Sequence, residues 1–118
     1  MADQKAASVT IPETITVKGT KYKVTEIKDG AFKGNKKLKK IVIGKNIVKI
    51  GKEAFYGCTK LRSITVKTKK LKKNKVGKDA FKKIHKKAVA KVPANKLKSY
   101  RTIFKARGMK GKKQKIRK

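Results

Sequence analysis

The stretch Ile41-Val-Ile43-Gly-Lys-Asn-Ile-Val-Lys-Ile50-Gly-Lys-Glu-Ala54-Phe55-Tyr-Gly-Cys58-Thr-Lys-Leu61-Arg-Ser63 decides the fold, because its neighbours are copies of it. Upstream, Ile27-Lys-Asp-Gly-Ala31-Phe32-Lys-Gly-Asn35-Lys-Lys-Leu38-Lys-Lys-Ile41-Val-Ile43 aligns without a gap on the residues from Ile50 to Val66, at an offset of 23. Downstream, Val76-Gly-Lys-Asp-Ala80-Phe81 matches at an offset of 26, the three extra residues falling in the polar run from Lys67 to Asn74. Repetition at this period is the mark of a solenoid.

The residue types explain why the unit repeats. Ile41 and Ile43, Ile64 and Val66, and Ala90 and Val92 alternate with period two, so each pair turns one face of a short strand inward. Leu38 and Leu61 precede the first two of these rungs by three residues. The Ala-Phe pairs, with Ile27, Ile50 and Val76 five residues before each Phe, supply the opposite wall, so Phe32, Phe55 and Phe81 are structural. One unit cannot enclose this apolar set, whereas stacked units can. Further out, Val9-Thr-Ile11-Pro12 reads as a first rung. The alternating stretch Ile15-Thr-Val17-Lys-Gly19-Thr-Lys-Tyr22-Lys-Val24 reads as a β-hairpin that covers the first cross-section with Tyr22 and Val24.

The pattern Ile-x-x-x-Ala-Phe-x-Gly-(Asn/Cys)-x-x-Leu-x-x-Ile-x-(Ile/Val) resembles the BspA-type leucine-rich repeat of bacterial, and some protist, surface proteins. The likeness is strongest over residues 24–66, and weaker copies extend it from Val9 to about Gly108. It departs at the last unit, where Ile84 stands in the place of Asn35 and Cys58, and Lys87 in that of Leu38 and Leu61. The resemblance implies a non-enzymatic interaction module, adhesin-like, that binds host or matrix proteins. It also implies that Asn35 and Cys58 are inward, structural side chains bonding backbone at a turn, since Asn and Cys are the usual occupants of that slot. The expected fold is therefore a short leucine-rich-repeat solenoid, mainly β with short helical or 3₁₀ turns. An N-terminal hairpin and a C-terminal helix would cap it.

After Pro93 the period changes to that of a helix, with Leu97, Tyr100, Ile103 and Phe104 on one stripe, Asn95 as N-cap and Gly108 as C-cap. Such a stripe either covers the open end of the last repeat or receives a partner. The domain reading follows: a disordered N-terminus over 1–8 and one repeat domain over 9–108. That domain divides into hairpin and first repeat to 40, central repeat 41–63, last repeat 64–93 and capping helix 94–108. A basic tail over 109–118 is disordered unless Ile116 pairs along an edge.

Composition bounds the function. The 118 residues make one domain, and 37% apolar content suffices for a modest core. No apolar run reaches transmembrane length, and the first eight residues lack the apolar middle of a signal peptide. The chain reads either as cytoplasmic or as part of a longer secreted protein, and the resemblance favours the second. One Cys and one His cannot assemble a metal site, and the sequence contains no phosphate-cradling loop and no catalytic triad motif. Neither enzyme activity nor a cofactor is expected. Asp29, Glu53 and Asp79 sit two or three residues before each Phe, as caps of a short helical turn do, and His85 reads as a surface residue.

Charge is the other dominant fact: 38 Lys and Arg against 6 Asp and Glu, a net charge of +32. Residues 1–63 hold 15 basic and 5 acidic side chains, residues 64–118 hold 23 and 1. Only Arg62, Arg101, Arg107 and Arg117 are arginine, and lysine acts as a mobile point charge, which suits diffuse attraction to polyanions better than base reading. The repeat stacks Lys37 on Lys60 on Lys86, and Lys39 on Arg62, at a strand spacing of about 4.8 Å. This ladder is the candidate polyanion-binding site, and the competing reading is a solvated lysine coat. Two alternative functions stand beside the surface module. One is a small basic nucleic-acid-binding protein, which the 6% aromatic content and the missing basic-aromatic array disfavour. The other is an engineered supercharged scaffold. The partners expected are a host or matrix protein, or an anionic glycan or wall polymer. Nucleic acid would be bound non-specifically, and the chain is a monomer without membrane insertion.

Overall fold

The computed structural model describes residues 7–118, in which short parallel strands follow one another as the rungs of successive coils. The main sheet has five strands in the order β1, β5, β7, β8, β9, all paired parallel: Ser8–Thr10, Lys40–Ile43, Ser63–Val66, Val89–Lys91 and Lys115–Arg117. Register follows the repeat, with Val9 opposite Ile41, Ile41 opposite Ile64, Ile64 opposite Ala90 and Ala90 opposite Ile116. Ile41, Ile43, Ile64, Val66, Ala90 and Val92 are all buried, as the period-two pattern requires.

Across the core a second parallel ladder joins β4 (Glu26–Ile27) to β6 (Lys49–Ile50), and Ile50 bridges on to Val76. Between the two ladders runs the aromatic wall. Phe32 stacks on Phe55 at 5.2 Å, Phe55 on Phe81 at 5.4 Å and Phe81 on Phe104 at 4.6 Å between ring centroids, with interplanar angles of 5°, 10° and 17°. These separations match the strand spacing, so each coil contributes one ring to a continuous pile.

The Ala-Phe segments are hydrogen-bonded turns, not the helical or 3₁₀ turns that the placement of the acidic residues suggested; among the described residues the 3₁₀ turns lie at Lys73–Lys75 and Ala94–Lys96. Their backbone donors are satisfied by the next coil: Phe32 N–H donates to Ala54 O and Phe55 N–H to Ala80 O, both at 2.8 Å. Left-handed residues recur at two fixed places, Gly30, Glu53 and Asp79 at one and Gly34, Gly57 and Lys83 at the other. Glu53 and Asp79 are therefore in left-handed turns, not at helix caps, while Asp29 Oδ1 accepts from Lys52 N–H in the next coil. Close approach of coils explains Gly51 and Gly77. A Cβ at Gly51 would collide with the backbone of Lys28 and Asp29, and one at Gly77 with the backbone of Gly51 and Lys52. Lys28 holds the equivalent place in the first such coil.

The ends depart further from the sequence reading. Ser8 belongs to β1, and Ala7 O accepts from the N–H groups of Lys39 and Lys40, so residues 7 and 8 are not a disordered leader; residues 1–6 lie outside the described residues. The hairpin forms from β2 (Thr14–Val17) and β3 (Thr20–Lys23), pairing Ile15 with Tyr22. Both strands are exposed throughout and Tyr22 is 53% exposed, so Tyr22 does not cover the first cross-section; Val24 and Ile11 pack there instead.

At the other end α1 spans Leu97–Ala106 and buries Tyr100, Ile103 and Phe104. Asn95 lies inside the preceding 3₁₀ turn, and the N-cap residue, Lys96, makes no side-chain cap bond. The last ten residues are not a free tail, since Ile116 is buried and β9 completes the sheet. The helix and β9 together form a last coil, which supplies the fourth ring of the pile and the fifth rung of the sheet. Arg107 O accepts from Phe81 N–H as Ala80 O does from Phe55 N–H, while Phe104 supplies the ring.

Candidate functional site

The slot held by Asn35 and Cys58 is inward in both coils but works differently in each. Asn35 Oδ1 accepts from the N–H groups of Lys37 and Leu38, at 2.9 and 3.2 Å, closing the turn into β5. Cys58 has no such oxygen, and its thiol donates instead to Phe32 O of the preceding coil at 3.0 Å. Burial pushes this thiol up to about 11, only partly offset by the Asn35 backbone and the Lys36 charge, so it stays protonated and inert at neutral pH. Both side chains are buried and bond to backbone.

In the last repeat the chain slips by one residue. His85 Nδ1 accepts from Lys87 N–H at 3.0 Å, the bond that Asn35 Oδ1 makes to Lys37 N–H, and Ala88 fills the place of Leu38 and Leu61. Ile84 is buried beside it and Lys87 is exposed, so neither simply replaces its aligned counterpart. His85 is half-buried at a turn and not a plain surface residue.

The slip alters the cationic ladder. Lys37, Lys60, Lys86, Lys39 and Arg62 are all exposed, and Arg62 N–H donates to Lys39 O at 3.1 Å, which places Lys39 and Arg62 on adjacent rungs. Counted from the turn, however, the successor of Lys37 and Lys60 is Lys87, not Lys86, and the successor of Lys39 and Arg62 is the half-buried, uncharged Val89. The ladder is thus coherent over two coils and breaks at the third.

The outward face of the main sheet carries a different distribution. Its two rows read Ser8, Lys40, Ser63, Val89, Lys115 and Thr10, Val42, Thr65, Lys91, Arg117. The middle is neutral and the β8–β9 end is cationic, a gathering that sequence reasoning missed because β9 was not counted as a rung. The one available signal was Ile116 alone between basic residues. Carboxylates do not offset it: among the described residues the ion pairs are Lys33 with Glu53, Lys45 with Glu13 and Lys49 with Glu26, at 3.1, 3.4 and 3.8 Å. All lie in the first half, solvent-exposed and weak. Lys33 and Lys83 also approach the Tyr56 ring, at 5.5 and 5.6 Å from its centroid.

Among the described residues no three His, Cys, Asp or Glu side chains gather as a metal-binding group, and no helix is long and apolar enough to cross a membrane. One open, partly lysine-lined recess of about 760 Å³ lies between Leu71 to Lys73 and the start of α1.

Comparison with known proteins agrees with this architecture. No curated protein matches the chain. A crystal structure of a leucine rich cell surface protein from Faecalibacterium prausnitzii A2-165 is similar, with a TM-score of 0.59 and 24% identity. The match covers 75% of this chain and 30% of that one, so this chain spans under a third of that protein's length. The model of the BspA type leucine rich repeat region matches residues 4–108 in six copies. With the stacked phenylalanines, the in-register rungs and the Asn/Cys slot in place, the chain belongs to the BspA-type leucine-rich-repeat family.

Proposed function

We propose that this chain is a non-enzymatic interaction module of a cell-surface or secreted protein, an adhesin-type domain with affinity for polyanions. Family membership supports an interaction role, and the likeness to a bacterial cell surface protein supports the fold. The observation that carries the polyanion part is the uncompensated charge of residues 64–118, with 23 basic side chains to 1 acidic. In this reading the coils are a rigid rack: the aromatic pile and sheet fix the backbone, α1 covers the C-terminal cross-section, and lysines extend from the rungs. Lys39, Lys60 and Arg62 form the coherent part of the ladder, with Lys37 beside them. An anionic glycan or wall polymer would release counterions from such a surface, whereas nucleic acid would be held without sequence preference.

The test is titration with heparin and duplex DNA at several salt concentrations. The logarithm of affinity should fall linearly with the logarithm of salt, with a slope of about 0.9 per phosphate neutralised on DNA. A variant lacking Lys39, Lys60 and Arg62 should lose more of that slope than one lacking Lys110, Lys112 and Lys113. Equal losses would leave only a diffuse coat, and tight, salt-insensitive binding to one protein partner would overturn the polyanion reading.

A further inference from the structure

Another recess differs from the partly lysine-lined one. Between the exposed side of α1 and the edge strand β9 lies a hollow of about 350 Å³, walled by Arg101, Lys105, Gln114, Lys115, Ile116 and Arg117. Its four cations arrive from two rigid elements. Arg101 and Lys105 are one turn apart on α1, and Lys115 and Arg117 alternate along β9, so each pair shares a face. Among the described residues no carboxylate lines it.

Two of the chain's four arginines meet here, and neither is consumed by the fold. Arg101 Nε donates to Ile116 O at 3.3 Å, which orients the guanidinium while its two terminal nitrogens bond to none of the described residues. Arg107 is the contrast, with Nε given to Val76 O at 2.7 Å and an Nη nitrogen to Lys73 O at 3.0 Å. Gln114 is also fixed, its Oε1 accepting from Gly111 N–H and its Nε2 donating to His85 O, so it is a wall and not a free donor.

We propose that this recess is a binding site for a tetrahedral oxyanion, the sulfate or phosphate ester group of a larger ligand. Four like charges held in one hollow repel one another, and a divalent anion relieves that repulsion. The planar arginine fork matches two oxygens of such a group, which a lysine cluster does not do. The volume lies at the lower end of the range for small-ligand clefts, enough for the anionic group and part of the sugar or chain bearing it. The assignment rests on the polyanion reading only in placing that group on a polymer; the site itself requires only the anion.

The experiment follows the four arginine Nε–H signals of the whole chain by NMR during titration with sodium sulfate, sodium phosphate and, at matched ionic strength, sodium chloride. Arg101 and Arg117 should shift and saturate with sulfate and phosphate but not with chloride, while Arg107 stays in place and Arg62, on the open ladder, shifts without saturating. Lys105→Gln should weaken the saturating response by roughly three-fold or more, the scale of one lost charge contact, and Lys69→Gln should leave it unchanged. All four signals moving together without saturation would overturn the site, as would a response to chloride equal to that to sulfate. Saturation by sulfate in a chain whose heparin binding shows no salt dependence would keep the site and overturn the polyanion reading. Heparin binding with intact salt dependence but no saturation at Arg101 and Arg117 would do the reverse. A sulfated and a phosphorylated disaccharide, titrated in parallel, identify the preferred ester, and saturation at Arg101 and Arg117 by either supports the site.

Discussion

The coil around Phe55 and the last coil build the same cross-section from different parts. In the first, a turn of the sequence motif brings Ala54 and Phe55 inward, and β7 follows as the rung. In the last, a ten-residue helix brings Phe104 onto the same pile, Arg107 O receives the Phe81 N–H, and β9 pairs with β8 in unbroken register. The array therefore propagates the aromatic pile and the rung spacing, and the motif is one way to provide them. Any segment that presents a ring and an inward strand residue at the right height can serve.

The largest expected effect tests that equivalence. Phe55 is sandwiched by Phe32 and Phe81, and Phe104 by Phe81 and Tyr100 at 6.2 Å. Phe55→Ala and Phe104→Ala should each cost about 3–5 kcal/mol in denaturant unfolding. A nearly neutral Phe104→Ala would make the last coil an appendage. Phe81, which the sequence placed in a worn unit, is fully buried between two rings, so Phe81→Ala belongs in the same range.

The second effect is a pH dependence set in the central coil by Cys58, which acts in the same sense as the burial that raises the Tyr100 hydroxyl in the last coil. Folding raises the Cys58 thiol from 9.0 to about 11 through burial, so the folded state holds its proton more tightly. Stability is then unaffected below pH 9 and falls as pH rises from 9 to about 11, by on the order of 2–3 kcal/mol. Chemical denaturation across that window should show a steeper loss in the wild type than in Cys58→Ala. Parallel curves would mean that the thiol is already exposed in the fold.

A smaller contrast concerns glycines at coil contacts. A Cβ at Gly77 meets the Lys52 backbone and one at Gly108 comes within 2.6 Å of Lys82 N, so Gly77→Ala and Gly108→Ala should each cost about 1–3 kcal/mol. Lys28→Ala, at the place equivalent to Gly77 but in the first such coil, should change the melting midpoint little. A neutral Gly108→Ala would show that the last coil sits less closely than the central ones.

What was legible in the sequence was what repeats. Ile41, Ile43, Ile64 and Val66 alternate, the Ala-Phe pairs recur, and Asn35 and Cys58 share a slot; each is one physical requirement written more than once. What was met only once stayed hidden. Thr68 and Leu71 lie in a run that reads as polar loop, yet Thr68 donates to Ile47 O at 2.6 Å and the buried Tyr100 hydroxyl donates to Thr68 O at 2.7 Å. The one-residue slip at His85 and Ala88 conserves geometry through different side chains, so alignment by residue type assigned Lys86 to a place that Lys87 holds. The recess at α1 and β9 was invisible for the same reason: its cations come from two segments that only the fifth rung brings together.

That fifth rung is the central claim, and amide hydrogen exchange on the native chain tests it most directly. Val92 N–H donates to Arg117 O and Lys115 N–H to Ala88 O, across the β8–β9 boundary, as Lys67 N–H does to Ile43 O between β5 and the end of β7. All three amides should be protected from exchange by orders of magnitude over a free peptide, with those of Val92 and Lys115 close to that of Lys67. Exchange of Val92 and Lys115 at the free-peptide rate, with Lys67 protected, would contradict the account and return residues 109–118 to the status of a tail.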